Sequence, residues 1–170
     1  FIDEGRNLLI TEFGKNYGTY FSILSEIANG HYTQGEIESA LGGTAIGGYL
    51  SKLENVYNLI TRERPIFAKP GTKKNVRYVI GDNFLNFWFK YIEQNRSYIE
   101  LQNFDDLRQL AKADYPTYSG RVLEKYFKQK LAETGGFKEI GSWWETKSSI
   151  GKQRINSYEI DIVALKSSGK

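Results

Sequence analysis

The chain has no cysteine and no methionine, and only one histidine and three prolines in 170 residues. Disulfides, thiol nucleophiles and Cys/His zinc sites are therefore excluded by inventory. Any metal must be held by oxygen ligands, which selects Mg²⁺, Mn²⁺ or Ca²⁺. Long apolar runs are missing too. The most hydrophobic stretch, Phe84 to Ile92, is about half of the ~18 residues that a membrane span requires, and it contains Asn86 and Lys90. No internal repeat or low-complexity tract is present. These absences predict a soluble protein, expected in the cytoplasm and without a membrane partner. Because the first residue is Phe1 and methionine is lacking throughout, the chain is expected to be a piece of a longer polypeptide, and it carries no information on a targeting peptide.

What is present suffices for a core: 40% of residues are hydrophobic and 15% aromatic, enough for one ordinary domain or two small ones. The formal charge of +3 and pI near 8.9 permit contact with nucleic acid without requiring it.

Tyr17, Tyr20, Phe21, Leu24, Ile27 and Ala28 recur at helical spacing, and Asn29-Gly30 is a stop signal. Thr33-Gln34-Gly35-Glu36 has the form of a capping box and opens a short helix with Ile37, Ala40 and Leu41 on one side, ended by Gly42-Gly43. Ile46, Leu50, Leu53, Tyr57 and Ile60 predict a third helix that turns Ser51, Lys52 and Asn55 outward. Two short helices about a Gly-rich turn form a helix-turn-helix. Ile66 to Ala68 and Val76 to Ile80 then read as two strands around a Pro-Gly turn. Three helices followed by a hairpin is winged-helix architecture. Its wing holds Arg62, Arg64, Lys69, Lys73, Lys74 and Arg77 against the single acid Glu63. These six cations, with Lys52 and Asn55 on the third helix, are the candidate DNA contacts. The plainer reading is a solvated hairpin whose lysines protect an edge strand. His31 is a polar turn residue with no assigned role.

Asp82 or Asn83 caps an aromatic helix, Phe84 to Ile92, apolar almost all round and therefore buried; packing explains these rings better than a base-stacking platform. A short helix, Phe104 to Ala111, is predicted to break at Tyr115-Pro116. Val122, Leu123, Tyr126, Phe127 and Leu131 form the inward stripe of the next helix, with Glu124 on its flank, and Gly135-Gly136 ends it. A strand over Phe137 to Trp144, a polar hairpin loop over Glu145 to Gln153 and a strand over Ile155 to Leu165 complete the chain. Period-two alternation puts Asp161 on a mostly apolar face with Val163 and Leu165, where a carboxylate needs a cation or donors. Helix acid, then strand acid, is how metal-dependent nucleases of the PD-(D/E)XK type begin. In that chemistry carboxylates bind Mg²⁺ and a lysine stabilises developing charge. Periodicity alone favours the plainer reading, in which Glu159 and Asp161 are ordinary polar residues at a strand end and Glu124 is a solvated helix acid.

I-L-S-E-I-A-N-G, G-G-Y-L-S-K-L-E, R-Y-V-I-G-D-N-F-L-N-F-W-F, Y-S-G-R-V-L-E-K-Y-F, I-G-S-W-W-E and E-I-D-I-V-A, in this order, resemble the C-terminal region of the archaeal-type AAA+ ATPases, also widespread in bacteria such as Bacteroides. The resemblance implies a winged helix followed by a domain of unknown function like PD-(D/E)XK nucleases, and it marks Glu124 and Asp161 as the catalytic and metal-binding acids. It also implies a further strand with an E-x-K element, expected after Lys170. No G-x-x-x-x-G-K-[ST] occurs, so ATP is expected only on a preceding domain, and this chain is expected to hold no cofactor, with Mg²⁺ or Mn²⁺ belonging to an intact nuclease-like domain.

The expected fold is α+β: a winged helix-turn-helix over residues 1–81, an aromatic helical connector over 82–120 and a truncated restriction-endonuclease-like α/β fragment over 121–170. The expected partners are DNA, the ATPase domain of the same polypeptide and, through an exposed sheet edge, a second copy. The alternatives are a non-catalytic protein-interaction module and a ligand-sensing transcription regulator with an aromatic pocket near Trp88 or Trp143.

Overall fold

The computed structural model describes residues 2–69, 75–145 and 158–167. In chain order the elements are α1 (Ile2–Phe13), a 3-10 turn (Gly14–Asn16), α2 (Tyr17–Asn29), α3 (Gln34–Ala40), α4 (Gly47–Asn55), β1 (Ile60–Glu63) and β2 (Arg77–Ile80). Then come α5 (Asn83–Phe87) continuing as a π-helical stretch (Trp88–Glu93), α6 (Arg96–Glu100), α7 (Phe104–Thr134), β3 (Phe137–Trp144) and β4 (Glu159–Lys166). The fold is α+β. Two compact units form, one from Phe1–Glu63 and Val76–Asp114, the other from Arg64–Asn75 and Tyr115–Lys170. The described residues 64–69 and 75, read from the sequence as part of the 1–81 segment, cluster with the second unit.

Local chemistry sets many element ends in the first unit. At the end of α2, His31 N donates to Glu26 O (3.0 Å) and Gly30 N to Ile27 O (3.1 Å), a paired closure that requires the positive φ of 103° at Gly30. The capping box of α3 is present in both directions: Glu36 N donates to Thr33 Oγ1 (3.3 Å), and Thr33 N to Glu36 Oε2 (3.0 Å). Asp82 caps α5 by accepting from Leu85 N at 2.7 Å. The apolar stripes that follow these caps meet in one core around Ile23, Leu24, Ile37, Leu50, Leu53 and Ile60. Each such side chain contributes on the order of 1.5–3 kcal/mol by burial. The helix α1, not foreseen in the sequence, joins this core through Leu9 and Phe13, whose ring lies 4.6 Å from that of Tyr20.

The hairpin departs from expectation. The third helix stops at Asn55, Asn58 turns the chain at a φ of 54°, and Ile60 opens β1 rather than closing the helix. Its antiparallel partner across the ladder is Ile80, both residues being buried. The expected strand Ile66 to Ala68 is instead a tight turn in which Ala68 N donates to Pro65 O at 3.0 Å. Burying Ile60 and Ile80 as a pair favours the earlier register, because Ile66 has another place to go.

The start of α4 has no side-chain cap at Ile46; Glu38 supplies the acceptor from α3. Its Oε1 accepts from Gln34 Nε2 (2.7 Å) and Ile46 N (3.2 Å). First the Gln34 bond and then the Ile46 N–H hold the carboxyl below its ordinary value of 4.5. A depressed carboxylate stabilises the fold above its unfolded pKa, and that contribution is lost as pH falls through the folded one. Glu38→Gln is therefore expected to melt below the wild type near about pH 7, with the gap narrowing as the pH is taken down below the ordinary carboxylate range. A gap that keeps the same size as the pH falls would show that the charge is not what caps α4.

The helix α7 is continuous over 31 residues with Pro116 inside it, correcting the break expected at Tyr115-Pro116. Ala111, Lys112 and Ala113 supply helix propensity ahead of the proline, and propagation from that formed helix carries it past the missing N–H. Gly135 and Gly136, with φ of 71° and 80°, end it. β3 runs over the residues expected of it, and β4 pairs with it antiparallel. The loop read over Glu145 to Gln153 lies outside the described residues from 146 onward.

Candidate functional site

Helical spacing places Arg121, Glu124 and Lys128 on one face of α7, since steps of three and four residues each complete about one turn. That face meets β3. Lys128 Nζ donates to both Glu124 Oε1 and Ser142 Oγ, and the Ser142 hydroxyl donates to Glu124 Oε1 at 3.0 Å. Ser142 is the one buried polar side chain among the described residues. Its hydroxyl is satisfied on both sides by α7, which avoids the ~1–3 kcal/mol that a buried unpaired hydroxyl costs. Arg121, exposed by area, is still crowded enough that desolvation lowers its pKa below the usual guanidinium value, while the charges of Glu159 and Glu124 pull the other way. Leu123, Tyr126 and Phe127, expected to face inward, are about half exposed, because the polar face is the one that contacts the strand.

Asp161 stands in an irregular part of the ladder. Gly141 pairs with Val163 and Trp143 with Ile160, so Ser142 alone on β3 faces both Asp161 and Ile162 on β4. Such a slip breaks the period of two, so Asp161 does not share a regular face with Val163 and Leu165. The carboxylate is exposed and keeps its hydration, which removes the need for a buried partner inferred from the pattern. Glu124 and Asp161 therefore meet the strand pair at the same level, one through Ser142 and the other opposite it. Among the described residues no three Asp, Glu or His side chains gather into a metal-binding group. Mg²⁺ takes one or two carboxylates and completes its octahedron with waters, so Glu124 and Asp161 are the right donor types, but the bonds from Lys128 and Ser142 to Glu124 Oε1 would have to open for it.

The candidate DNA contacts separate into kinds. Lys52 and Asn55 lie exposed on α4, where Asn55 Nδ2 donates back to Ser51 O at 2.9 Å. Arg62 is committed to the fold: it pairs with Glu54 at 2.5 Å and its guanidinium sits 5.5 Å from the Tyr78 ring centre. Arg77 stands directly across the ladder from Glu63, a favourable pairing of opposite charges. Arg64 and Lys69 are exposed on the hairpin tip; Lys73 and Lys74 lie outside the described residues. That tip is tied to β3, because Ile66 is buried over Gly141 and its N–H donates to Ser142 O at 2.8 Å.

Trp88 is wholly buried in the first unit's core, so packing accounts for it. Tyr91 OH (2.6 Å) and Lys90 Nζ (3.1 Å) both reach Asp114 Oδ2, fastening the π-helical stretch to the first part of α7. His31, given no role, is bonded to Glu26 at 2.7 Å. The residues the sequence reading missed are Lys128, Ser142 and Arg121. The three-and-four spacing of Arg121, Glu124 and Lys128 was a visible signal; the partnership with Ser142, across the helix-to-strand turn, was not.

No helix among the described residues is long and apolar enough to cross a membrane. No solved structure matches the chain. The uncharacterized protein MJECL04 of Methanocaldococcus jannaschii is 38% identical over 161 residues, covering 89% of this chain and 34% of that protein. The chain thus spans about a third of the length of the curated relative it matches. Its second half, residues 88–170, carrying α7 and the strand pair with Glu124, Ser142 and Asp161, matches the DUF234 family, described as archaea bacterial proteins of unknown function.

Proposed function

We propose that the chain is the DNA-associated C-terminal region of an AAA+ type ATPase, a winged helix joined to a nuclease-like domain. The observation that carries this reading is the arrangement of α2 to β2. Three helices precede a two-stranded antiparallel hairpin, and Tyr78 N donates to Tyr32 O at 2.7 Å, which puts the α2–α3 connection beside β2, where a winged helix would carry its additional strand. Lys52 on α4 and Arg64 and Lys69 on the hairpin tip are exposed cations suited to phosphate contact. In the nuclease-like part Glu124 and Asp161 take the positions of the helix and strand acids. Lys128, held against Glu124, is a positive charge of the kind such chemistry uses, but borne by the helix. Glu124 and Asp161 would be the acids that hold a Mg²⁺ or Mn²⁺ ion there, and such an ion would polarise the phosphate and activate water.

Salt dependence tests the DNA reading. Neutralising Arg64, Lys69, Lys73 and Lys74 together is expected to weaken duplex binding and to flatten the slope of log affinity against log salt by about 0.9 for each phosphate that the variant no longer neutralises. Binding that is unchanged by these substitutions would end the winged-helix assignment. In the full-length polypeptide, Mn²⁺- or Mg²⁺-dependent DNA cleavage that disappears with Asp161→Ala would support the nuclease-like reading, and cleavage retained by that variant would reject it.

A second reading has one observation in its favour. Leu123, Tyr126 and Phe127 are each 50–52% exposed on α7, an apolar surface suited to docking the ATPase domain of the same polypeptide. On that reading the acids have no catalytic part.

A further inference from the structure

Phe67 lies between β1 and β2, 66% exposed, with a backbone φ of 73°. In this left-handed region a residue with a Cβ is strained and glycine is not. The turn closes through Ala68 N to Pro65 O, and a positive φ at its third position is the type II pattern, where glycine is the usual occupant. The preceding residue explains why the strain cannot relax. Ile66 is buried over Gly141 and donates its N–H to Ser142 O at 2.8 Å, which holds the turn against β3 and leaves the next side chain directed to solvent. An aromatic ring kept in water on a strained backbone contributes little to folding, so its use lies in what it meets. On either side stand two exposed cations, Arg64 and Lys69.

We propose that Phe67 stacks on an unpaired DNA base while Arg64 and Lys69 meet the neighbouring phosphates. This rests on the reading that the hairpin contacts DNA, and it names the form of DNA preferred. Driving a ring between the stacked pairs of an intact duplex costs about a few kcal/mol in unstacking. A base already outside the stack presents its face at little cost, and aromatic stacking on it tolerates any sequence.

The test compares binding of the 170-residue chain to an intact duplex and to the same duplex with a short single-stranded gap. Phe67→Gly suits the backbone and removes the ring. It is expected to melt within about 2 °C of the wild type, since strain relief offsets the added freedom of the unfolded chain. It should bind intact duplex normally and gapped DNA about tenfold more weakly. Phe67→Trp should retain gapped binding, with its emission quenched by that DNA. Arg64→Gln with Lys69→Gln should weaken both complexes.

If Phe67→Gly binds gapped DNA like the wild type while the charge variant is weakened, the stacking role is wrong and the DNA reading survives. Equal weakening of both complexes by Phe67→Gly would reject the preference for an unpaired base. Tryptophan emission that does not respond to gapped DNA would reject stacking of this ring on a base. A charge variant that binds both DNAs unchanged would overturn the DNA reading and the stacking role together.

Discussion

Trp88→Ala is expected to destabilise the first unit by about 3–5 kcal/mol, the range for removing a large aromatic from a packed core. Trp88 is fully buried and packs edge-on against Phe21 and Phe89, with ring centres 6.2 and 5.1 Å apart. On another side it fills the space that a side chain at Gly5 would need: a Cβ built there would stand 2.8 Å from Trp88 Cε2. The helix α1 therefore approaches closely only because residue 5 lacks a side chain. Gly5→Leu alone should destabilise by overpacking, typically about 1–3 kcal/mol. Combined with Trp88→Ala it should restore part of the stability, a non-additivity that marks direct contact. Urea denaturation of the two single variants and the double variant would measure this. Strict additivity would show that Gly5 and Trp88 do not share the space. The indole Nε1 has no hydrogen-bond partner among the described residues, so Trp88→Phe should cost less than the reduction in volume suggests, because it also removes an unsatisfied donor.

Pro116→Ala is expected to raise stability by roughly 2 kcal/mol. A proline inside a helix costs about 3 kcal/mol relative to alanine, since it removes one backbone hydrogen bond and crowds the carbonyl four residues back. Against this, alanine gives the unfolded chain more freedom, worth about 0.4–1 kcal/mol. The ring itself is exposed, so its removal takes away little packing. The substitution should raise the melting temperature by several degrees and deepen the helical circular dichroism signal. A fall in melting temperature would mean that the proline ring makes an interaction that outweighs the helix penalty. That the chain remains helical through Pro116 also shows how propagation works: Ala111, Lys112 and Ala113 precede the proline with high propensity, and a formed helix extends far more readily than one begins.

The features legible in the sequence are those that depend on a few adjacent residues. Thr33 and Glu36 close a capping box within four positions, Gly30 and Gly135-Gly136 end helices by their own backbone freedom, and Asp82 caps the helix that follows it. The strand Phe137 to Trp144 and the burial of Leu85, Trp88, Phe89 and Tyr91 were likewise readable from pattern alone, although Phe84, expected to be buried with them, is half exposed. Features that depend on competition between distant segments were not. Ile60 and Ile66 are both isoleucines near a turn, yet Ile60 pairs with Ile80 and Ile66 docks on β3. Pattern cannot separate two apolar residues whose partners lie far away in the chain.

The candidate site shows the same division. Glu124 was identifiable as a helix acid at the border of burial, and Asp161 as a strand acid. Only the tertiary structure brought Lys128 and Ser142 to Glu124, moved the apolar side of α7 away from the strand, and placed an irregularity at Asp161 that leaves its carboxylate in water. By itself, then, the sequence determined the α+β class, the helix caps and the two acids, because short-range hydrogen bonding and periodicity act within one element. The register of each hairpin, the partner of each charge and the exposure of each ring were decided by which surfaces could be buried together, an outcome of the whole chain's packing.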